Sequence, residues 1–82
     1  MELIKVTIAE YISDFKINFT FNDGLVGEID FKDELYGEVF EPLKDVEVFK
    51  KFQLNPFTIE WECGADFSPE FLHGCINHYV NR

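Results

Sequence analysis

Phe57-Thr-Ile-Glu-Trp-Glu-Cys-Gly-Ala-Asp-Phe-Ser-Pro-Glu-Phe-Leu72 changes along its length from the two-residue repeat of a β-strand to the pattern of a helix start. Apolar and polar residues alternate as far as Gly64, which predicts a strand with one buried and one solvated face. The positions predicted to be buried are Phe57, Ile59, Trp61 and Cys63. Their polar neighbours Glu60 and Glu62 are then expected to face water.

A helix is predicted to follow, from Pro69 to Tyr79. The side-chain oxygen of Ser68 can accept a hydrogen bond from the free N–H groups of a first helical turn, and proline is favoured just inside that turn. Glu70 complements the positive end of the helix dipole. A strand that leads through a tight junction into a capped helix indicates a packed α+β domain.

Three further strands are predicted near the N-terminus. Alternation places Ile4, Val6 and Ile8 on one face of the first strand, and it extends from Phe15 to Phe21 in the second. A loop formed by Asn22-Asp23-Gly24, with the glycine left-handed, keeps the apolar residues of the second and third strands on one face. In that register Gly27 lies opposite Phe19, where a missing side chain makes room for a ring or marks a bulge.

The middle of the chain is predicted to hold short elements. Gly37 and Pro42 interrupt any long helix, so residues 37–44 are expected to form a structured loop. Asp45 can cap a short helix, Leu54 can form a brief strand, and Asn55-Pro56 can turn the chain into the last strand. The predicted fold is α+β, with an antiparallel sheet ordered βββ, short helices, one or two strands and a C-terminal helix. The helices pack on one face of this single domain, residues 1–82.

Composition limits the classes of function. The chain has 82 residues, ten of them phenylalanine, and a net charge of −9. Aromatic side chains bury a large area, so a packed core is expected rather than disorder. Binding to phosphate backbones needs basic residues, so direct contact with nucleic acid or with an anionic membrane is disfavoured. The acidity indicates either a solvated surface or a surface for a basic protein partner or mimicry of a nucleic acid.

The N-terminus mixes Glu2 and Lys5 with apolar residues, unlike a secretory signal, and no apolar run has the length of a membrane span. These features predict a cytoplasmic protein. Both cysteines are then expected to stay reduced, as small side chains in the core.

The order of several motifs resembles a small bacterial family catalogued as domain of unknown function twenty-four forty-two. The residues that carry the resemblance are Phe21-x-Asp23-Gly24, Asp30, Val39-Phe40-x-Pro42-Leu43-x-Asp45, Phe49, Trp61-x-x-Gly64-Ala65-Asp66 and Pro69-Glu70-x-Leu72. They cover nearly the whole chain. Each is a turn, a cap or an aromatic anchor, as in the signature of a fold.

The resemblance implies a compact α+β domain with no established activity. It also implies a genetic setting, because members are often encoded beside another small protein in a manner that suggests toxin–antitoxin pairing. On that basis the chain is expected to be the antitoxin-like member of a two-gene pair.

The candidate interaction residues are Glu60, Glu62, Trp61 and Asp66. The two glutamates belong to the predicted wet face of the last strand, where they would meet a basic partner. Trp61 is predicted to be a core anchor, and it would be a contact hot spot only if exposed. Asp66 fits the strand-to-helix junction. Edge strands of an open sheet also permit a homodimer.

A second class of function, a small metal-dependent hydrolase, would use His73, His78 and the nearby acids. The candidate metal ligands are His73, Cys75 and His78, with Cys63 as a fourth. On a helix, His73 and His78 are separated by roughly 140° of rotation, which is poor spacing for a shared ion. A nucleophile–base pair is not recognisable in the sequence. A third class, a small-ligand-binding domain, would use a pocket among the aromatic residues. The sequence therefore favours an interaction module over an enzyme and predicts no cofactor.

Overall fold

The computed structural model describes residues 3–35 and 37–80, and the side chains of residues 77–80 lie outside the description. Its elements confirm the mixed α+β class. Three strands form one antiparallel sheet in the order β1-β2-β3, and two short strands form a second sheet. The elements are β1 (Val6–Ser13), β2 (Lys16–Phe21), β3 (Val26–Asp30), a 3-10 helix (Glu38–Lys44), α1 (Val46–Phe49), β4 (Gln53–Leu54), β5 (Ile59–Glu60) and α2 (Pro69–Val80).

The β2–β3 hairpin has the predicted register. Ile17 pairs with Ile29 and Phe19 with Gly27, and the Phe21 N–H donates to the Leu25 carbonyl at 2.9 Å. Gly24 closes the loop with φ of 92°, in the left-handed region that glycine adopts at little cost. The alternation of β2 therefore determined both the buried face of the hairpin and the length of its loop.

The first strand departs from the prediction at Ile8. Val6 pairs with Phe21 but Ile8 pairs with Thr20, so Thr7 is an extra residue in a bulge. A bulge reverses the alternation that follows it. Val6 is buried as predicted, whereas the side chain of Ile8 is 49% exposed on the opposite face of the sheet. The inward positions after the bulge are Ala9 and Tyr11, which are partly buried against the core.

An aromatic cluster fills the core beneath the sheet. The Phe49 ring lies at its centre, with ring centroids 5.2 Å from Phe15, 5.8 Å from Phe31 and 5.7 Å from Trp61. The Phe67 ring joins the cluster at 4.9 Å from Phe31. Phe49 and Phe31 are fully buried. Residues far apart in the sequence thus share one core, which joins both sheets and both α-helices.

The C-terminal helix α2 begins as predicted, with the Ser68 hydroxyl accepting a hydrogen bond from the Phe71 N–H at 3.1 Å. It packs on the hairpin through Gly27. A β-carbon on Gly27 would lie 2.5 Å from a methyl carbon of Ile76, so the glycine makes room for an aliphatic side chain of α2 rather than for an aromatic ring. This close approach fixes the helix against β3.

Between the two sheets, residues 38–44 form a 3-10 helix rather than a loop, and it includes Pro42. Asp45 caps α1 as predicted, since its carboxylate accepts from the Glu47 N–H at 3.0 Å. The strand predicted from residue 57 onward is only β5, which pairs with β4 in a separate sheet. No helix in the described part of the chain is long and apolar enough to cross a membrane.

Candidate interaction surface

The turn before β5 is organised by Asn55. Its side-chain oxygen accepts hydrogen bonds from the N–H groups of Phe57 and Thr58, both at 2.8 Å. Its amide nitrogen donates to the Glu60 carboxylate at 3.2 Å. A single asparagine therefore shapes the turn and holds the first candidate residue, Glu60, at its exposed position. The Asn55–Glu60 contact was not predicted from the sequence.

Two buried hydrogen bonds hold the backbone under Glu60. The Thr58 hydroxyl donates to the Phe67 carbonyl at 2.7 Å, and the Trp61 indole N–H donates to the Phe49 carbonyl at 2.7 Å. The side chain of Trp61 is only 3% exposed. This confirms the core-anchor prediction, and it removes Trp61 from the candidate contact residues.

The contacts at the two ends of β5 explain two wrong burial predictions. The Gly64 N–H donates to the Trp61 carbonyl at 2.9 Å, so the chain has already reversed at Cys63, whose side chain is exposed. At the other end, the Phe57 carbonyl accepts from the Val6 N–H, and the Phe57 ring lies outside the core, 5.9 Å from the Lys5 ammonium. Phe57 is 52% exposed. Of the four residues predicted to be buried, only Ile59 and Trp61 lie in the core.

Asp66 lies directly opposite Glu60, in an isolated antiparallel bridge. Side chains of such a pair lie on the same face, with β-carbons about 5 Å apart. Glu62 is exposed in the intervening turn. We call Glu60, Glu62 and Asp66 the acidic surface. Among the described residues none of the three forms an ion pair. Glu62 and Lys51 both line a shallow cavity of ≈ 210 Å³.

His73 of α2 contacts two residues of the β2–β3 hairpin, Asp23 and Phe21. Its Nε2 is 2.7 Å from an Asp23 carboxylate oxygen, and its ring lies edge-on to Phe21 with centroids 5.1 Å apart. The other carboxylate oxygen of Asp23 accepts from the Leu25 N–H at 3.0 Å. The Leu25 N–H, followed by His73, holds the pKa of Asp23 below its ordinary value. This contact was not predicted from the sequence, because it depends on how α2 packs.

Cys75, the second metal candidate, is partly buried against the core. Burial, followed by the nearby Glu34 carboxylate, raises the pKa of its thiol, which disfavours the thiolate that would bind metal. The side chain of His78 lies outside the described residues. Within the described residues, no group of three histidine, cysteine or acidic side chains could hold a metal ion.

Comparison with known proteins identifies a family and no activity. No curated protein matches the chain significantly, and neither does any solved structure. The model of one family, described as "Protein of unknown function (DUF2442)", matches residues 6–76, from the start of β1 to the residue of α2 that packs on Gly27. The matched range contains the hairpin, the acidic surface and the aromatic core. The chain therefore belongs to the DUF2442 family of proteins of unknown function.

Proposed function

We propose that this chain is a small acidic interaction module that binds a basic protein through the acidic surface. The observation that carries the proposal is the placement of Glu60 opposite Asp66 on one exposed face. Like charges directly opposite each other in a β-bridge are destabilising. A lysine or arginine from a partner would relieve this repulsion and gain hydrogen bonds with both carboxylates.

The charges around this surface favour a basic partner. The net charge of −9 adds a long-range attraction for cationic proteins, which raises the association rate at low salt. The buried bonds of Thr58 and Trp61 hold the backbone beneath the carboxylates, so little ordering cost is expected on binding. Contact through exposed charges is screened by salt, so the complex should weaken as ionic strength rises.

Pairing through the β1 edge receives less support. Register shifts interrupt β1 at both ends, between Val6 and Ile8 and between Tyr11 and Ser13. Bulges twist an edge strand away from a flat geometry and so protect it from added strands. We therefore place the partner on side chains of the acidic surface rather than in a homodimer formed along β1.

The biological setting we propose is a two-gene pair in which this chain is the antitoxin-like member. A small basic protein encoded beside it is the first partner to test. The proposal rests on the acidity of the chain together with the pairing that the family resemblance implies.

The test compares three tagged forms of the protein recovered from the cells that produce it. These are the wild type, Glu60→Lys with Glu62→Lys, and Glu38→Lys with Glu41→Lys, which changes the net charge equally on the 3-10 helix. Mass spectrometry identifies what each form retains at low and high salt. At low salt we expect a near-stoichiometric basic protein to be recovered with the wild type and with the 3-10 helix variant. The same protein should be lost from both at high salt. It should not be recovered with the Glu60→Lys, Glu62→Lys variant at either salt concentration.

Three outcomes would contradict the proposal. Wild-type protein recovered without a partner at both salt concentrations would remove the basis for an interaction module. Retention of the same partner by the Glu60 and Glu62 variant would place the contact elsewhere. Equal loss from both variants would show that net charge, rather than this surface, determines binding.

A further inference from the structure

The three-stranded sheet has a second face, turned away from the aromatic core. The register places Ile8, Thr20 and Val26 in one row across the strands, and Glu10, Asn18 and Glu28 in the next. We call these six residues the outer face. Ile8 is 49% and Val26 53% exposed, and the two glutamates are exposed as well. No described element covers these rows.

Exposed aliphatic residues in strands have an ordinary explanation, because β-branched side chains favour strands wherever they lie. The arrangement here goes further than that preference. Ile8 and Val26 lie in one row on the two outer strands, with Thr20 between them on the central strand. The acidic row lies one side-chain repeat away, about 7 Å along the strands. An apolar stripe beside an acidic stripe fits a segment whose apolar side is flanked by basic residues.

We propose that the outer face is a second docking surface, for an amphipathic helix with a basic flank supplied by a partner protein. The outer strands of the sheet lie about 10 Å apart, which matches the diameter of one helix with its side chains. A helix laid on a sheet is also one of the few stable ways to cover an apolar face. Because Glu10 and Glu28 are negatively charged, the flank of that helix that lies beside them is expected to be positively charged.

A second copy of this chain fits the outer face poorly. Two copies related by a two-fold axis would present the same patch to each other. Glu10 and Glu28 of one copy would then face the same acids of its partner, and like charges across an interface oppose association. The bulge at Thr7 is what places Ile8 on this face, so the surface depends on a feature of the fold that alternation alone does not reveal.

The test uses a synthetic helical peptide of about 15 residues, with a leucine stripe flanked by lysines. One control peptide replaces the leucines by serine at the same charge, and another replaces the lysines by glutamate. Backbone amide chemical shifts of the labelled full chain locate binding, and a titration gives its affinity. We expect the leucine–lysine peptide to shift the amides of Ile8, Glu10, Val26 and Glu28, and neither control to bind comparably.

Matched variants separate this surface from the acidic surface. Ile8→Thr with Val26→Thr keeps β-branched side chains in the strands, so the fold should be unchanged while affinity for the peptide falls about tenfold. Glu60→Lys with Glu62→Lys should leave affinity for this peptide nearly unchanged. Because the two proposals involve different residues, either can fail while the other stands.

The proposal would be overturned by shifts confined to the acidic surface, by equal binding of the serine control peptide, or by a threonine double variant that binds the peptide as tightly as the wild type. Self-association of the free chain through Ile8 and Val26, detected by sedimentation at rising concentration, would show that the occupant is a second copy instead.

Discussion

Asp23, in the β2–β3 turn, differs from Glu60 and Asp66, at β5, in its contacts within the protein. Asp23 is bonded within the protein on both carboxylate oxygens, to the Leu25 N–H and to the His73 ring. Glu60 and Asp66 face each other and share no cation among the described residues. An acid with internal partners on both oxygens serves the fold, whereas Glu60 has one neutral partner, Asn55, and its charge is not balanced by a cation among the described residues.

The two regions also differ in how they are attached to the core. The hairpin meets α2 through close packing of Gly27 on Ile76 and through an exposed polar contact. The β5 segment is held from below, by buried hydrogen bonds from Thr58 and Trp61. Substitutions in the two regions should therefore change stability and binding in different proportions.

The largest expected effect comes from removing the support beneath the acidic surface. Trp61→Ala should lower the free energy of unfolding by about 3–5 kcal/mol, because it leaves a large cavity and an unbonded Phe49 carbonyl. Trp61→Phe keeps much of the volume and should cost about 1–3 kcal/mol, mainly through that carbonyl. Urea denaturation measures both. Equal, small losses would show that the indole bond and the packing of Trp61 contribute little to this segment.

Gly27→Ala tests the packing on the other side of the comparison. Its β-carbon would lie 2.5 Å from a carbon of Ile76, so α2 must shift at a cost of about 1–3 kcal/mol. Gly74→Ala is the matched control, since a β-carbon there meets nothing within 4 Å. Alanine should stabilise the helix interior by about 0.5–1 kcal/mol. The midpoint temperature of thermal unfolding should therefore fall for Gly27→Ala and rise for Gly74→Ala. An unchanged midpoint for Gly27→Ala would mean that the contact between Gly27 and Ile76 is loose.

Asp23→Asn tests whether the turn acid serves the fold. The pKa of Asp23 is lowered in the folded protein from its ordinary value of 3.8. Its charge therefore stabilises the fold above that value, and this contribution is lost as the pH falls through the lowered pKa. Wild type should be more stable than the variant near neutral pH, with the difference shrinking in acid. A difference that stays constant with pH would show that the charge of Asp23 is irrelevant to folding.

The smallest effect on stability is expected at the acidic surface itself. Glu60→Gln with Asp66→Asn should change the free energy of unfolding by less than about 0.5 kcal/mol, because both side chains are exposed and repel each other. Any change should be toward greater stability near neutral pH, measured by urea denaturation. A loss of several times that size would mean that these carboxylates serve the fold, and the contrast with Asp23 would disappear.

The sequence predicted the elements whose pattern is local and uninterrupted. β2 alternates without a break, the Asn22-Asp23-Gly24 loop fits only one register, and Ser68-Pro69 begins a helix by side-chain chemistry alone. Each prediction was confirmed because the residues that determine the element are neighbours in the sequence.

The wrong predictions occur where tertiary contacts override the pattern. The bulge at Thr7 turned Ile8 outward, and the short β5 strand left Phe57 and Cys63 exposed. The same limit applies to the candidate site. Glu60 and Glu62 are exposed as predicted, although Glu62 lies in the turn after β5 rather than on the strand. The bridge to Asp66 and the His73–Asp23 contact depend on the packing of separate elements.

The salt dependence of the complex tests the central claim most directly, namely that acids without an internal cation bind a basic partner. The dissociation constant of the recovered complex is measured over a range of salt concentrations, for the wild type and for Glu60→Gln with Glu62→Gln. We predict that wild-type affinity falls steeply with salt and that the variant is weaker with a shallower slope. The same affinity and slope in both proteins would contradict the claim.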